Sequence, residues 1–231
     1  MSTPYFTGPT GGPHAHDVAE TKVAPSTPNG QLVVRPGVGG GTSRSMQRRS
    51  FDSRFATRYF VGYGLDIGGG RDSLALFVEL FPLIKRVVNY DQPQGDAQTL
   101  SNVDDASFDF VFSSHCLEHM RDPYEAMSNW IRVVRPGGYL IIAVPDEDLY
   151  EQGVWPSTFN PDHKVTFTIC KKDSWSPVSI NLFDLIGRFS SLVRPISIAT
   201  IDNAHRYKLP RFDQTATPLS EASIEFILRR I

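Results

Sequence analysis

The 231 residues carry 23 Lys plus Arg against 25 Asp plus Glu, a formal net charge of −2. Such a balance offers no field to nucleic acid or to an anionic membrane, and favours a small molecule or a neutral polymer as partner. Two cysteines, Cys116 and Cys170, are too few for a disulfide framework, and neither a secretory leader nor a membrane-length apolar run is visible, so one cytoplasmic catalytic domain is expected.

In chain order, residues 1–30 are rich in Pro, Gly, Thr and Ser and poor in large aliphatics. They are expected to be a disordered arm, since little burial is available to offset the entropy of ordering. Residues 31–58 read as a basic linker or lid: Gln31 to Val34 as a short strand, Gly37 to Gly41 as flexible chain, and Arg44 to Arg58 as a solvated face or a cofactor cover. Phe51 and Phe55 supply that segment's apolar stripe for docking.

From residue 59 onward, short apolar runs alternate with helical stretches, the pattern of a Rossmann-like, mostly parallel α/β sheet with helices on both faces. Strand one is Gly64–Ile67, followed by a helix over Ser73–Phe81 with Asp72, or as its rival Ser73, at the N-cap. Strand two is Arg86–Tyr90, and the continuous apolar centre of Ser107–Ser114 reads as a central strand covered on both faces. Asp122 and Pro123 open a helix that Arg135-Pro136-Gly137-Gly138 stops. Tyr139–Pro145 is the next buried strand, residues 149–178 a substrate-side insertion, and Ser179–Phe189 a later helix. Ile196–Ile201 and Ser223–Leu228 close the sheet as an antiparallel pair.

Ligands of open parallel sheets lie across the carboxyl ends of the strands, where strand order reverses. Polar or small residues stand at those ends: Asp66 and Gly68-Gly69-Gly70 after strand one, Asp91 after strand two, Asp96 and Ala97 before the middle strand, and Ser113-Ser114-His115 after it. Four stretches in order, Asp66 to Gly70, Gly95-Asp96-Ala97-Gln98, Ser107-Phe108-Asp109 through His115-Cys116-Leu117-Glu118-His119, and Arg135 to Gly138, resemble the small stand-alone class I S-adenosylmethionine-dependent methyltransferases over residues 60–165.

That resemblance implies S-adenosylmethionine as cofactor and S-adenosylhomocysteine as product. It implies that Gly68, Gly69 and Gly70 bring backbone to the methionine part, and that Asp66 acts on the cationic amino group. Asp91 would take the ribose hydroxyls, Asp96 and Ala97 the adenine, and Ser113, Ser114 and His115 the methionine side. The chain departs from the family in two places. Asp72 replaces the last glycine of the turn, and only Gln92-Pro93-Gln94-Gly95 separates Asp91 from Asp96, where a helix and strand are usual. The ribose acid is accordingly less secure than the adenine acid.

A nicotinamide-dependent Rossmann enzyme is the chief rival, but Gly-Gly-Gly-Arg-Asp lacks the Gly-x-Gly-x-x-Gly spacing that a pyrophosphate needs. A catalytically inactive binding partner of the same fold is the other. For an enzyme, the expected reaction is in-line transfer of methyl to an O or N atom of a small molecule, a sugar or natural-product intermediate, with His163 first and His115 second as general base and Asp146 as a further acceptor-binding group. Trp155, Phe159, Phe167 and Trp175 suggest a pocket for a compact, partly apolar acceptor or a sugar ring, or equally a part of the core. A His115–His119 metal pair and a Mg²⁺ site at Asp146-Glu147-Asp148 are both weighed and set aside. No metal is therefore expected, His119 is assigned a structural role, and a homodimer is left open.

Overall fold

The computed structural model describes residues 40–231; the arm, the 31–34 strand and Gly37 to Gly39 lie outside them. The described residues belong to one unit, Gly37–Ile231, and none of their helices is long and apolar enough to cross a membrane.

Helix α1 (Gly41–Phe51) and a π-helical turn (Phe55–Tyr59) precede β1 (Gly62–Ile67), β2 (Ile84–Tyr90) and β3 (Phe108–Ser114). Then come α2 (Pro123–Val133), β4 (Val134–Pro145), β5 (Thr166–Thr168), β6 (Ser179–Asn181), α3 (Leu182–Gly187), β7 (Val193–Ile201) and β8 (Ser223–Arg230). The main sheet has the order β2-β1-β3-β4-β8-β7. Its first four strands are parallel, and β8 runs antiparallel to both β4 and β7. Strand order reverses between β1 and β3, which places the ligand crevice at Ile67 and Ser114.

Alternation along β3 divides the core. Val111 faces Met127, Trp130 and Ile131 of α2, whereas Phe110 and Phe112 face Met46, Phe55, Phe60 and Leu74, as a period-two strand between two covered faces must. Helix α2 begins as the sequence predicts: the Asp122 carboxylate accepts from the backbone N–H of Tyr124 and Glu125, and Pro123 occupies the first turn.

Several expectations are corrected. From Gly41 the basic segment is helical and docked, with Met46 and Phe55 buried and Phe51 84% exposed. Its apolar stripe is too small to hold it alone. The fully buried Arg49 guanidinium instead donates to Glu225 Oε2 of β8 at 2.6 and 3.0 Å and lies 4.8 Å from the Phe112 ring centroid. The segment after β1 is a kinked 3₁₀ turn, Leu74–Leu80, in place of a helix over Ser73–Phe81, and Ser73 is its cap, accepting from Ala75 N–H. Asp72 turns instead to α1, whose Ser43 N–H and Oγ–H both donate to it. Ser179–Asn181 is a strand paired with Thr166–Thr168, and α3 starts only at Leu182, where the Asn181 side chain caps it. The first three residues of the expected helix are thus strand, with Ile180 packed in the core.

Candidate functional site

A cavity of about 790 Å³ opens at the carboxyl ends of β1, β2 and β3. Gly68, Asp91, Gly95, Asp96, Ala97, His115 and Cys116 line it, with His119, Met120, Arg121, Asp162 and Lys164 on the far side. The seven residues named first come from the turns following β1, β2 and β3 that the sequence picks out. The far side owes Asp162 and Lys164 to the long insertion.

Gly68 reaches the cavity because its backbone adopts φ +76°, and a Cβ there would strike Cys116 Sγ at 2.5 Å. Gly69 and Gly70 do not line the cavity; a Cβ on Gly69 would meet Asp66 Oδ2 at 2.4 Å, so that glycine serves the packing of the turn on Asp66. Asp66 has no solvent exposure. Its Oδ2 accepts from Ser73 Oγ–H and Leu74 N–H, both at 2.7 Å, while its Oδ1 has no partner. Burial raises its pKa to about 6, since removing a carboxylate from water penalises the charged form.

The two loop acids differ in freedom. Asp96 accepts from Gln98 N–H through Oδ1 and from the Arg121 guanidinium through Oδ2 at 2.7 Å, and the hydrogen bond from Arg121 is the main reason its pKa is lowered. Asp91 accepts only from Gln92 N–H, through Oδ1. Ala97 passes its carbonyl to Trp130 Nε1–H at 2.8 Å, and its own N–H makes no hydrogen bond among the described residues. A free carboxylate oxygen on Asp91 and a free N–H on Ala97 therefore belong to residues of one cavity lining, whereas Asp66, with its unpartnered Oδ1, is buried and outside that lining.

Ser113 is buried and its hydroxyl donates to Ile67 O across β3 and β1, so it pins two strands together. Ser114 and His115 instead meet α1: a Cβ on Gly41 would lie 2.7 Å from Ser114 Oγ and 2.5 Å from His115 Cδ2. His115 adopts φ +56°, and its Nε2 is 3.0 Å from Ser223 Oγ. The positive φ swings the ring from the strand end toward the cavity.

Other expected catalytic groups are occupied elsewhere. Asp146 caps the π-helical turn Glu147–Glu151, accepting from Asp148 and Leu149 N–H, and lies outside the cavity lining. His163 is buried and does not line the cavity; its Nδ1 is 2.7 Å from Glu151 Oε1. The aromatics do not share one pocket either. Phe167 is core, Phe159 stacks under the Arg211 guanidinium at 4.1 Å, and Trp175 Nε1–H donates to Asp148.

The structure also brings His163, distant in sequence, beside the rings of His115 and His119. His115 Nδ1, His119 Nε2 and His163 Nε2 stand 3.6, 3.8 and 3.9 Å from Glu118 Oε1. A backbone bond from Lys164 N–H to Glu118 O, 2.8 Å, locks the insertion onto this turn. Periodicity carries no signal for such a cluster, because its members come from two segments that meet only in the folded chain, through that bond and the His119–Asp162 pair.

The family described as "Methyltransferase domain" matches residues 65–142. An S-adenosylmethionine-dependent methyltransferase from Archaeoglobus fulgidus aligns with TM-score 0.50 and 19% identity, covering 81% of this chain and 95% of that one. A Bacillus halodurans protein provisionally described as a methyltransferase aligns with TM-score 0.51 and 14% identity over 80% and 96% of the two chains. At these identities the structures show a shared fold. In sequence, a 37.1 kDa protein of unassigned role in a Streptomyces fradiae transposon is 41% identical over 54 residues, 23% of this chain and only 15% of that protein's length.

Proposed function

We propose that the chain is a class I S-adenosylmethionine-dependent methyltransferase, the family whose domain matches residues 65–142, and that it moves the cofactor's methyl group to an oxygen or nitrogen of a small molecule, a sugar or natural-product intermediate. The observation that carries this reading is the 790 Å³ cavity at the β1–β3 switch point, lined by Asp91, whose Oδ2 accepts no hydrogen bond among the described residues, and by Ala97. The bound cofactor supplies an electrophilic methyl on a sulfonium, so this chain's residues have to bind, orient and take up a proton.

Asp91 would hold the ribose hydroxyls through its free Oδ2, and Ala97 N–H the adenine ring edge. Asp66 Oδ1 would face the ammonium of the methionine part, whose positive charge stabilises the ionised carboxylate that burial disfavours. His115 is the ring best placed to receive the acceptor's proton, since it lines the cavity whereas His163 does not. A small acceptor is supported by the size of the cavity and by the near-neutral charge of the whole chain, which gives no counterion-release footprint for nucleic acid.

Calorimetric titration with S-adenosylmethionine, and in a parallel cell with NAD, tests the reading. Binding of the first alone is expected. Asp91→Ala should weaken it by about tenfold or more, the loss of one to two hydrogen bonds to a charged acceptor, and Asp96→Ala by less, because Arg121 already holds that carboxylate. Folded protein that binds no S-adenosylmethionine overturns the proposal.

A further inference from the structure

We propose that Glu118, His119 and His163 form a binding site for one divalent transition metal ion, zinc or iron(II), at the edge of the cavity. One potential ligand atom from each of the three residues lies within 4.8 Å of the other two, and Glu118 Oε1 is 3.8 and 3.9 Å from Nε2 of His119 and His163. Ligands about 2.0–2.1 Å from a tetrahedral zinc stand roughly 3.3 Å from each other, so the 3.8 and 3.9 Å separations from the carboxylate oxygen need only slight closure around an ion.

The hydrogen bonds behind the rings set their chemistry. His163 Nδ1 is 2.7 Å from Glu151 Oε1, and His119 Nδ1 is 2.8 Å from Asp162 Oδ2. A carboxylate accepts, so each ring carries a proton on Nδ1, and in the neutral ring Nε2 presents a lone pair. Both lone pairs face Glu118, which is fully buried and whose carboxylate oxygens have no partner within hydrogen-bond distance among the described residues, His115 Nδ1 standing at 3.6 Å from Oε1. Lone pairs aimed at an unpartnered carboxylate repel; a cation among them converts the repulsion into coordination. Carboxylates behind metal-binding imidazoles are the usual outer support of such centres, fixing tautomer and ring orientation. Two imidazoles with one carboxylate suit zinc or iron(II) rather than the oxygen-seeking Mg²⁺ or Ca²⁺.

Three protein ligands leave a coordination position open. His119 lines the cavity and Glu118 and His163 lie behind it, so that position faces the space where an acceptor oxygen would sit. This last point alone rests on the methyltransferase reading; the ion's binding does not.

The test uses the full chain, stripped with a chelator and titrated by calorimetry with Zn²⁺ and, without oxygen, with Fe²⁺; Co²⁺ absorption reports the ligand field. One ion per chain is expected. Glu118→Gln and His163→Ala should each weaken binding by more than about 100-fold, and Glu151→Gln by about 10–100-fold, whereas His205→Ala should leave it unchanged. If the buried variants fail to fold, His119→Asn, at a ring 23% exposed, carries the same expectation. Stripped protein that is folded by circular dichroism and takes up no ion overturns the inference, as does binding unaffected by His119→Asn. S-adenosylmethionine binding by stripped protein that takes no ion defeats the metal centre alone; ion uptake without cofactor binding supports the centre and defeats the enzymatic reading.

Discussion

The two faces of the sheet are covered by helices of opposite character. Helix α2 presents a conventional amphipathic face, with Ala126, Met127, Trp130 and Ile131 buried and a capped N-terminus. Helix α1 has no side-chain cap and buries Thr42, Ser45, Met46 and Arg49. It is held by charge, with Arg48 and Arg49 both donating to Glu225 and Arg48 also to Glu221. Yet both reach the same cavity, α2 through Trp130 and Ala97, α1 through Gly41 against His115 and Ser43 on Asp72. A face closed by ion pairs can be as close to the chemistry as one closed by hydrocarbon, and its strength then depends on charge.

Four substitutions or conditions sharpen that contrast. Trp130→Ala should be the most damaging, about 3–5 kcal/mol for a large aromatic deleted from a closed core, read by denaturant unfolding; a loss under about 1 kcal/mol would mean that α2 is not the principal buttress. Next comes Asp66, on the α1 side of the site. Its folded pKa of about 6 lies above the value of 3.8 for an unperturbed carboxyl, so its stabilising contribution is complete below about pH 4 and is lost as pH rises through about 6. Without cofactor, about 3 kcal/mol should disappear across that window relative to Asp66→Asn, measured as midpoints at pH 4 and pH 7.

Arg49→Met keeps the volume and removes the charge-assisted bonds to Glu225, while Arg48 still pairs with that carboxylate. It should cost about 1.5–3 kcal/mol, and the paired change Arg49→Met with Glu225→Leu should recover part of it. Failure of the second change to help would show that α1 is held by its few apolar contacts. The smallest effect belongs to Ser43→Ala, about 1 kcal/mol in stability, with weaker S-adenosylmethionine binding by calorimetry if α1 orders the turn that Asp72 terminates.

The same contrast explains what could be read in advance. Apolar runs and turn residues located β1 to β4, the capped start of α2 and the antiparallel pair β7–β8, because hydrophobic periodicity and capping chemistry are local. Helix α1 escaped because its anchor is a buried Arg49–Glu225 pair joining distant segments, and burial of an arginine leaves no periodic trace. Gly68, Asp91, Asp96, Ala97 and His115 could be placed at one crevice from strand order alone. How the acids share their work could not, since the engagement of Asp96 depends on Arg121 from another turn. The gathering of His119 and His163 at Glu118 depends likewise on the fold of the insertion, whose strands β5 and β6 are too short to show alternation.

The bond from Lys164 N–H to Glu118 O has a consequence for heredity and engineering alike. It joins the turn 115–119 to the loop 160–164 as one transplantable part. A chimera that grafts either piece alone would inherit half of a wall, whereas exchanging both together moves His115 and His119 with the rim of the cavity and leaves Asp91, Asp96 and Ala97 in the host.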